Sequence, residues 1–307
     1  MNEIEKYQRY MRFKSHFKNI PIISPLVRLV KWKYYRPLII KRFKRERFAD
    51  YEEKVKGLTP WTENEKALIS LKDAHKGEIA FIVGNGPSLR AEDLSKLMEK
   101  GVFCFAMNRI HFIFDRTEWR PNCYMAIDPQ IYRECDSTIT SVIKEDLPLY
   151  IMSKLAYEGI PQELVSGKIL YINTTPNSHY IPVDEFSDNA LVYVVDGFTV
   201  TYCAMQMAYY MGFKEVYLLG VDFNYSRTIG KDGKVRVENN SMTYFDKRYD
   251  SKNVNAGYME GMLQGYETAQ KFCEMHDFKI FNATRGGKLD VFERVDFDEV
   301  LATIADK

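Results

Sequence analysis

The chain has 307 residues, 46% hydrophobic and 28% charged, which suits one large soluble domain or one domain with an appendage. Formal net charge is +1, yet residues 1–50 carry 14 Lys or Arg against 4 Asp or Glu, and the rest carries 29 against 38. Confinement of the positive charge to one end argues against a nucleic-acid-binding body. No apolar run approaches the ~20 residues of a bilayer-spanning helix, and no signal-peptide core precedes a small-residue cleavage site.

These absences predict a cytoplasmic protein. The first segment, residues 1–75, reads as a basic helical extension. Within it "ISPLVRLVKWKYYRPLIIKRFKRERF" interleaves aromatics and aliphatics with Lys and Arg. Such a segment can lie at an anionic membrane surface or pack on the body with its charges in water, and residues 1–50 are the candidate membrane contact at the inner face of the cell membrane. Five cysteines (Cys104, Cys123, Cys135, Cys203, Cys273) form no CxxC pair, so reduced core thiols are expected and zinc is not.

Residues 76–307 alternate short apolar runs with helical stretches. "EIAFIVG" at 78–84 reads as a strand, and a helix over "RAEDLSKLMEKG" stops at Gly101. "VFCFAMN", "CYMAID", "LPLYIM" and "KILYIN" are further strands; "GFTVTYCAMQMAYYMG" is a helix running into the buried strand "KEVYLLGVDF". The helix in "GYMEGMLQGYETAQKFCEMHDF" leads to the strand "KIFNAT". Repeated αβ units predict an α/β fold: an open, doubly wound, mostly parallel Rossmann-like sheet. Two long polar insertions, 173–197 and 224–257, are expected at the ligand crevice as lids or acceptor-binding loops.

The turn "GNGPS" after the first strand carries the clearest chemistry. Gly84 and Gly86 permit close ligand approach, Asn85 and Pro87 shape the turn, and Ser88 with the next helical N–H groups suits an anion. It is neither a Walker A sequence nor the G-x-G-x-x-G of dinucleotide folds, so a tight structural corner is the alternative.

Together, "GNGPSL", "AMNR" at 106–109, "GFTVTYCAMQMAYYMGFKEVYLLGVDFNY" at 197–225 and "FNATRGGKLDVF" at 281–292 resemble the DUF115 superfamily. That group includes archaeal 6-hydroxymethylpterin pyrophosphokinase, motility-associated flagellin glycosyltransferases and proteins of bacterial surface-polysaccharide clusters. The arrangement, over roughly residues 78–300, is also similar to the CMP-sialic-acid-dependent sialyltransferases of glycosyltransferase family 42 and implies their GT-A-variant fold. The resemblance implies nucleotide contacts at Gly84, Asn85, Gly86, Pro87, Ser88 and Asn108, and a donor contact at Thr199.

One position departs from that pattern. Where the sialyltransferases carry a histidine base, this chain has Thr243, followed by Tyr244, and a threonine cannot act as a general base near neutral pH. His179, in "SHY" before the long helix, is the alternative base, and Asp222, Asp128 and Tyr244 complete the candidate catalytic set. Arg285, beside a glycine pair, can grip phosphate or carboxylate or pair with a local acid.

The expected activity is a glycosyltransferase using a nucleotide-activated sugar, CMP-linked by preference, with a glycan or lipid-linked acceptor, in bacterial surface polysaccharide or glycoconjugate synthesis. ATP-dependent pyrophosphokinase action, which would call for Mg²⁺, and a noncatalytic assembly role are the alternatives. Metal use and oligomerisation are left open.

Overall fold

The strands of the main sheet are apolar along nearly their whole length because both faces are covered. The computed structural model describes residues 36–128, 136–154, 167–176, 182–230, 235–237, 242–250 and 257–305. Its main strands are β1 (Ile79–Val83), β2 (Phe103–Met107), β3 (Cys123–Ala126), β4 (Leu149–Ser153), β5 (Ile169–Ile172) and β6 (Glu215–Leu219). A hairpin of β7 (Arg227–Ile229) and β8 (Val235–Val237) stands apart, and β9 (Lys279–Asn282) and β10 (Glu293–Arg294) complete the set. Ala80, Phe81, Ile82 and Val83 are fully buried, a continuous apolar run of the kind a parallel sheet requires.

Every pairing in the eight-stranded sheet is parallel, in the order β10-β9-β6-β1-β2-β3-β4-β5. The chain walks outward from β1 to β5, then returns to place β6 on the other side of β1. The direction of winding therefore reverses between β1 and β6, the topological switch point of the sheet.

Seven α-helices are described: α1 (Arg36–Val55), α2 (Glu63–Leu71), α3 (Ala91–Glu99), α4 (Asp136–Lys144), α5 (Val200–Tyr210), α6 (Met259–Met275) and α7 (Phe297–Thr303). Ala80 and Ile82 join one core with residues of α2, α5 and α6; Phe81 and Val83 join another with residues of α3, α4 and α7. The sheet is thus wound on both faces, as the alternation of elements predicted.

The extension is tied to the body from α1 onward. Phe43 and Tyr51 pack against the core, Lys44 pairs with Glu185, and Lys54 donates to both oxygens of buried Glu65 at 2.6 and 2.8 Å. Glu65 also closes the capping box with Thr62 that starts α2. Asn64 seals the sheet edge: it donates to Tyr171 O at 2.9 Å and accepts from Tyr171 N at 2.7 Å on β5.

The described parts of the first insertion, 173–176 and 182–197, have no regular element, and 182–197 is core rather than lid. Val183, Phe186, Ala190 and Val192 to Val195 are buried. Gln206, buried inside α5, accepts from Ser187 N at 3.0 Å and Val195 N at 2.9 Å, so this irregular backbone is satisfied without water. In the second insertion the β7–β8 hairpin and a 3-10 turn at Lys247–Asp250 provide local order.

Candidate functional site

Beyond the last residues of β1 and β6 the two chains stay bonded: Gly84 N donates to Leu219 O at 2.8 Å and Gly86 N to Gly220 O at 2.7 Å. A β-carbon on residue 86 would fall 1.8 Å from Asp222 Oδ2 and 2.7 Å from Gly220 O. The glycine is therefore demanded by the protein's own packing, which corrects the expectation that its bareness serves ligand approach. Ser88 Oγ donates to Asp222 Oδ2 at 2.8 Å, so the two expected ligand groups hold each other. Burial pushes the Asp222 carboxyl up, and hydrogen bonds from the Ser88 hydroxyl and N–H oppose that shift. Asp222 O accepts from Lys288 N at 2.7 Å, which brings the loop after β9 onto the same corner. Pro87 is half-buried within this turn.

The other side of the turn is different. Asn85 Nδ2 donates to Met107 O at 3.0 Å, which fixes the amide, and its Oδ1 is buried with no hydrogen-bond partner. Asn108, at φ 52° after β2, uses its backbone O to accept from the Tyr124 hydroxyl at 2.7 Å; its Oδ1 is likewise buried and unpartnered. In the following 3-10 turn, Ile110–Ile113, His111 Nδ1 is a third buried atom without a partner. Burial, then the nearby Arg248 and Arg109 charges, pushes the His111 imidazole down to about 4.

The segment 242–250 crosses this side, with Phe245 N donating to Asn85 O at 3.1 Å. Thr243 is buried and accepts from Ser226 N at 2.9 Å, a structural use of its hydroxyl; Tyr244 beside it is half-buried. Buried Asp246 receives Arg116 and, at 2.8 and 2.9 Å, Arg248. Those arginines, Arg248 first, hold its carboxyl down at about 2. Arg248 also lies over the Phe112 ring at 4.6 Å and donates to Phe112 O at 2.6 Å, so the segment is pinned next to His111.

Of the helix N-termini at this end of the sheet, that of α3 follows the glycine turn and that of α5 lies beside β2. The first turn of α3 contains Glu92 and Asp93, and Arg90 supplies no side-chain cap. Carboxylates already occupy its positive end, so the helix after the glycine turn is a poor anion receptor, contrary to expectation. The first turn of α5 holds no acidic residue, and Thr199 caps it by accepting from Thr201 N at 3.3 Å. Thr201 reaches Met107 Sδ at 3.5 Å, which sets this terminus beside the carboxyl end of β2. Gly197 and Phe198, at φ 60° and 61°, turn the chain sharply into the cap.

Arg285 has its fork filled: Nε and Nη2 each reach Asp93 at 3.1 Å, and Nη2 reaches Asp298 at 2.8 Å. It braces α3 against the loop after β9, the local-acid alternative of the sequence. Asp128 is exposed just beyond β3, and His179 lies outside the described residues. The structure therefore gathers Asn85, Asn108, Thr199 and Tyr244 near the carboxyl ends of β1 and β2, and Ser88 and Asp222 near those of β1 and β6. In the sequence His111 ranks below His179 as a candidate base; the structure places it three residues after Asn108, on the same side of the turn. Among the described residues no group of three or more His, Cys, Asp or Glu side chains could hold a metal ion. Cys104, Cys123 and Cys203 are buried and free, and burial pushes the Cys104 thiol up to about 12.

A parallel sheet wound on both faces, with its topological switch between β1 and β6, defines a Rossmann-like α/β protein. The chain belongs to the family described as 6-hydroxymethylpterin diphosphokinase MptE-like, whose model matches residues 57–228. Among solved structures it is similar to the MAf glycosyltransferase of Magnetospirillum magneticum AMB-1, at 18% identity and a TM-score of 0.47, over 77% of this chain and 38% of that one. It is similar also to the sialyltransferase CstII of Campylobacter jejuni, solved with cytidine-5'-monophosphate, at 18% identity and a TM-score of 0.42, over 72% of this chain and 85% of that one. No curated protein sequence matches this chain.

Proposed function

We propose that the chain is a glycosyltransferase that takes a nucleotide-activated sugar, CMP-linked by preference, and transfers the sugar to a glycan or lipid-linked acceptor. The observation that carries this reading is the pair of buried, unpartnered amide oxygens, Asn85 Oδ1 and Asn108 Oδ1, beside the β1 turn. A buried acceptor with no donor costs roughly 1–3 kcal/mol, a penalty a ligand N–H or O–H removes. The exocyclic amine of cytosine and the ribose hydroxyls are donors of that kind; the corresponding edge of uracil is an acceptor. The N-terminus of α5, which has no acidic residue in its first turn and is capped by Thr199, supplies N–H groups for the nucleotide phosphate.

Transfer breaks the bond between the anomeric carbon and the phosphate oxygen and forms one to the acceptor oxygen, which must shed a proton. His179 is the proposed base, and Tyr244 and Asp128 are the groups that position the acceptor. Asp222, committed to Ser88, fixes the turn instead of taking the proton. Arg285, committed to Asp93 and Asp298, holds α3 and contributes to binding only through that geometry. The second reading, diphosphoryl transfer from ATP with Mg²⁺, draws its support from the family description alone.

Calorimetric titration with CMP, CDP, UDP, GDP and ATP, followed by hydrolysis of CMP-sugars, tests the proposal. CMP is expected to bind more tightly than UDP, and His179→Ala to lower turnover ~10²–10⁴-fold with donor affinity retained. Binding of ATP alone, with diphosphorylation of a hydroxymethylpterin, would replace this reading with the second.

A further inference from the structure

Helix α1 has an inner face and an outer face of different character. Phe43, Lys44, Tyr51 and Lys54 face the body, as their contacts with the core, Glu185 and Glu65 establish. Residues at the complementary spacing, Leu38, Lys41, Arg42 and Arg45, are exposed, with Leu38 63% accessible. Ile39 flanks this outer face and is 45% accessible, whereas Phe48 packs edge-on against Tyr193 of the body at 5.6 Å. The charge is also divided along the helix: residues 37–47 hold five Lys or Arg and a single acid, Glu46, whereas 50–53 hold Asp50, Glu52 and Glu53. Core packing explains the inner face; on the outer face Arg42 pairs with Glu46 at 2.6 Å, and the cations lie beside exposed Leu38 and Ile39.

We propose that the outer face of the first half of α1 docks on an anionic lipid bilayer. Lys41, Arg42 and Arg45 meet the headgroups, while Leu38 and Ile39 enter the interfacial layer. Charge complementarity favours a lipid surface, since each basic side chain near an anionic leaflet contributes about a fivefold gain in partitioning and apolar neighbours add shallow insertion. The docking is oriented. Ile40 and Lys44, on the inner side of α1, line a cleft with Pro176, Val183, Val195 and Phe198, beyond the carboxyl end of β5 and beside the Gly197–Thr199 corner. A bilayer under α1 therefore lies near the carboxyl ends of the strands and away from their amino ends. Insofar as the transferase reading holds, this orientation sets the crevice where an acceptor anchored in lipid can reach it.

The test is co-sedimentation of the full chain with phosphatidylcholine vesicles containing phosphatidylglycerol, at low and high salt, for three proteins. One is native; one carries Lys41→Glu, Arg42→Glu and Arg45→Glu; the control carries Lys72→Glu, Lys76→Glu and Lys214→Glu. The control residues are exposed near the amino ends of β1 and β6, so the net charge of the two variants is equal. The native chain is expected to sediment at low salt and to release at high salt. The α1 variant should lose at least about tenfold in partitioning, and the control less than about threefold. Native protein that ignores the vesicles, an α1 variant that binds as the native chain does, or equal losses in both variants would each overturn the proposal. Binding of the α1 face to a protein partner with no affinity for vesicles would do so too. Calorimetry with CMP on the same proteins separates the two readings: docking without CMP binding leaves this proposal standing and removes the transferase, and CMP binding without docking does the reverse.

Discussion

The two sides of the Gly84–Ser88 turn are made from the same five residues and behave as opposites. Toward β6 every polar group is answered: Ser88 by Asp222, Gly86 N by Gly220 O, and Asp222 O by Lys288 N, with no room for a β-carbon at residue 86. Toward β2, three buried acceptor atoms on Asn85, Asn108 and His111 have no partner. The first side is a finished structural joint; the second is preorganised and incomplete. The candidate ligand residues of a glycine turn are thus divided by what their neighbours already satisfy.

The largest effect should come from forcing the finished side. Gly86→Ala is expected to cost about 3 kcal/mol of stability or more, because backbone Gly220 O as well as the Asp222 carboxylate must move. Chemical denaturation measures it, and pairing the variant with Asp222→Ala should return part of the loss through coupling of neighbours. An additive double variant would mean that the carboxylate is not the obstacle.

Next is the titration of His111 on the unfinished side. Its folded-state pKa of about 4 lies below the ~6.5 of an unfolded histidine, so the unfolded chain binds more protons between those values. The stability tied to neutral His111 is therefore fully present above pH ~6.5 and is lost as pH falls toward 4, by up to about 3 kcal/mol. His111→Phe should flatten that part of the stability profile relative to the native chain. Parallel profiles for the two proteins would show that the ring is not held neutral by its surroundings.

A smaller effect isolates binding. Asn108 sits in the left-handed region, where glycine is at ease, so Asn108→Gly should leave thermal stability within about 1 kcal/mol while lowering CMP affinity about tenfold. Unchanged affinity would turn the orphaned oxygen into a packing defect and sharpen the comparison against the proposed function. The smallest change in nucleotide affinity is expected at Arg285→Met, which strands Asp93 but leaves nucleotide contacts in place. A stability loss of about 1–2 kcal/mol with CMP affinity altered less than about threefold is the expected result, since the arginine itself is partly exposed.

Much of the fold was legible because a strand buried on both faces has to be apolar throughout, as "AFIV" and "YLLG" are, and such strands alternating with helices leave few topologies. The glycine turn was legible as a location. What it faces was not, because Asp222 and Gly220 reach it only through the β1–β6 pairing, a contact no local pattern encodes. Segment 182–197 reads as a polar loop, yet it is core: the deciding residue, Gln206, sits in another element and answers the loop's N–H groups from inside α5. Arg285 likewise displays its chemistry in sequence, while its partners Asp93 and Asp298 come from helices on either side of it in the chain.

The amide of Asn64 on the β5 edge has a consequence for how copies of this protein can meet. At that end the backbone N–H and C=O of Tyr171 are already occupied, and at the opposite end β10 is a two-residue strand made of Glu293 and Arg294. Neither end offers a length of open, uncharged ladder for a foreign strand to extend. Among the described residues, stacking of copies through the ends of the main sheet is opposed by one asparagine and one short charged strand.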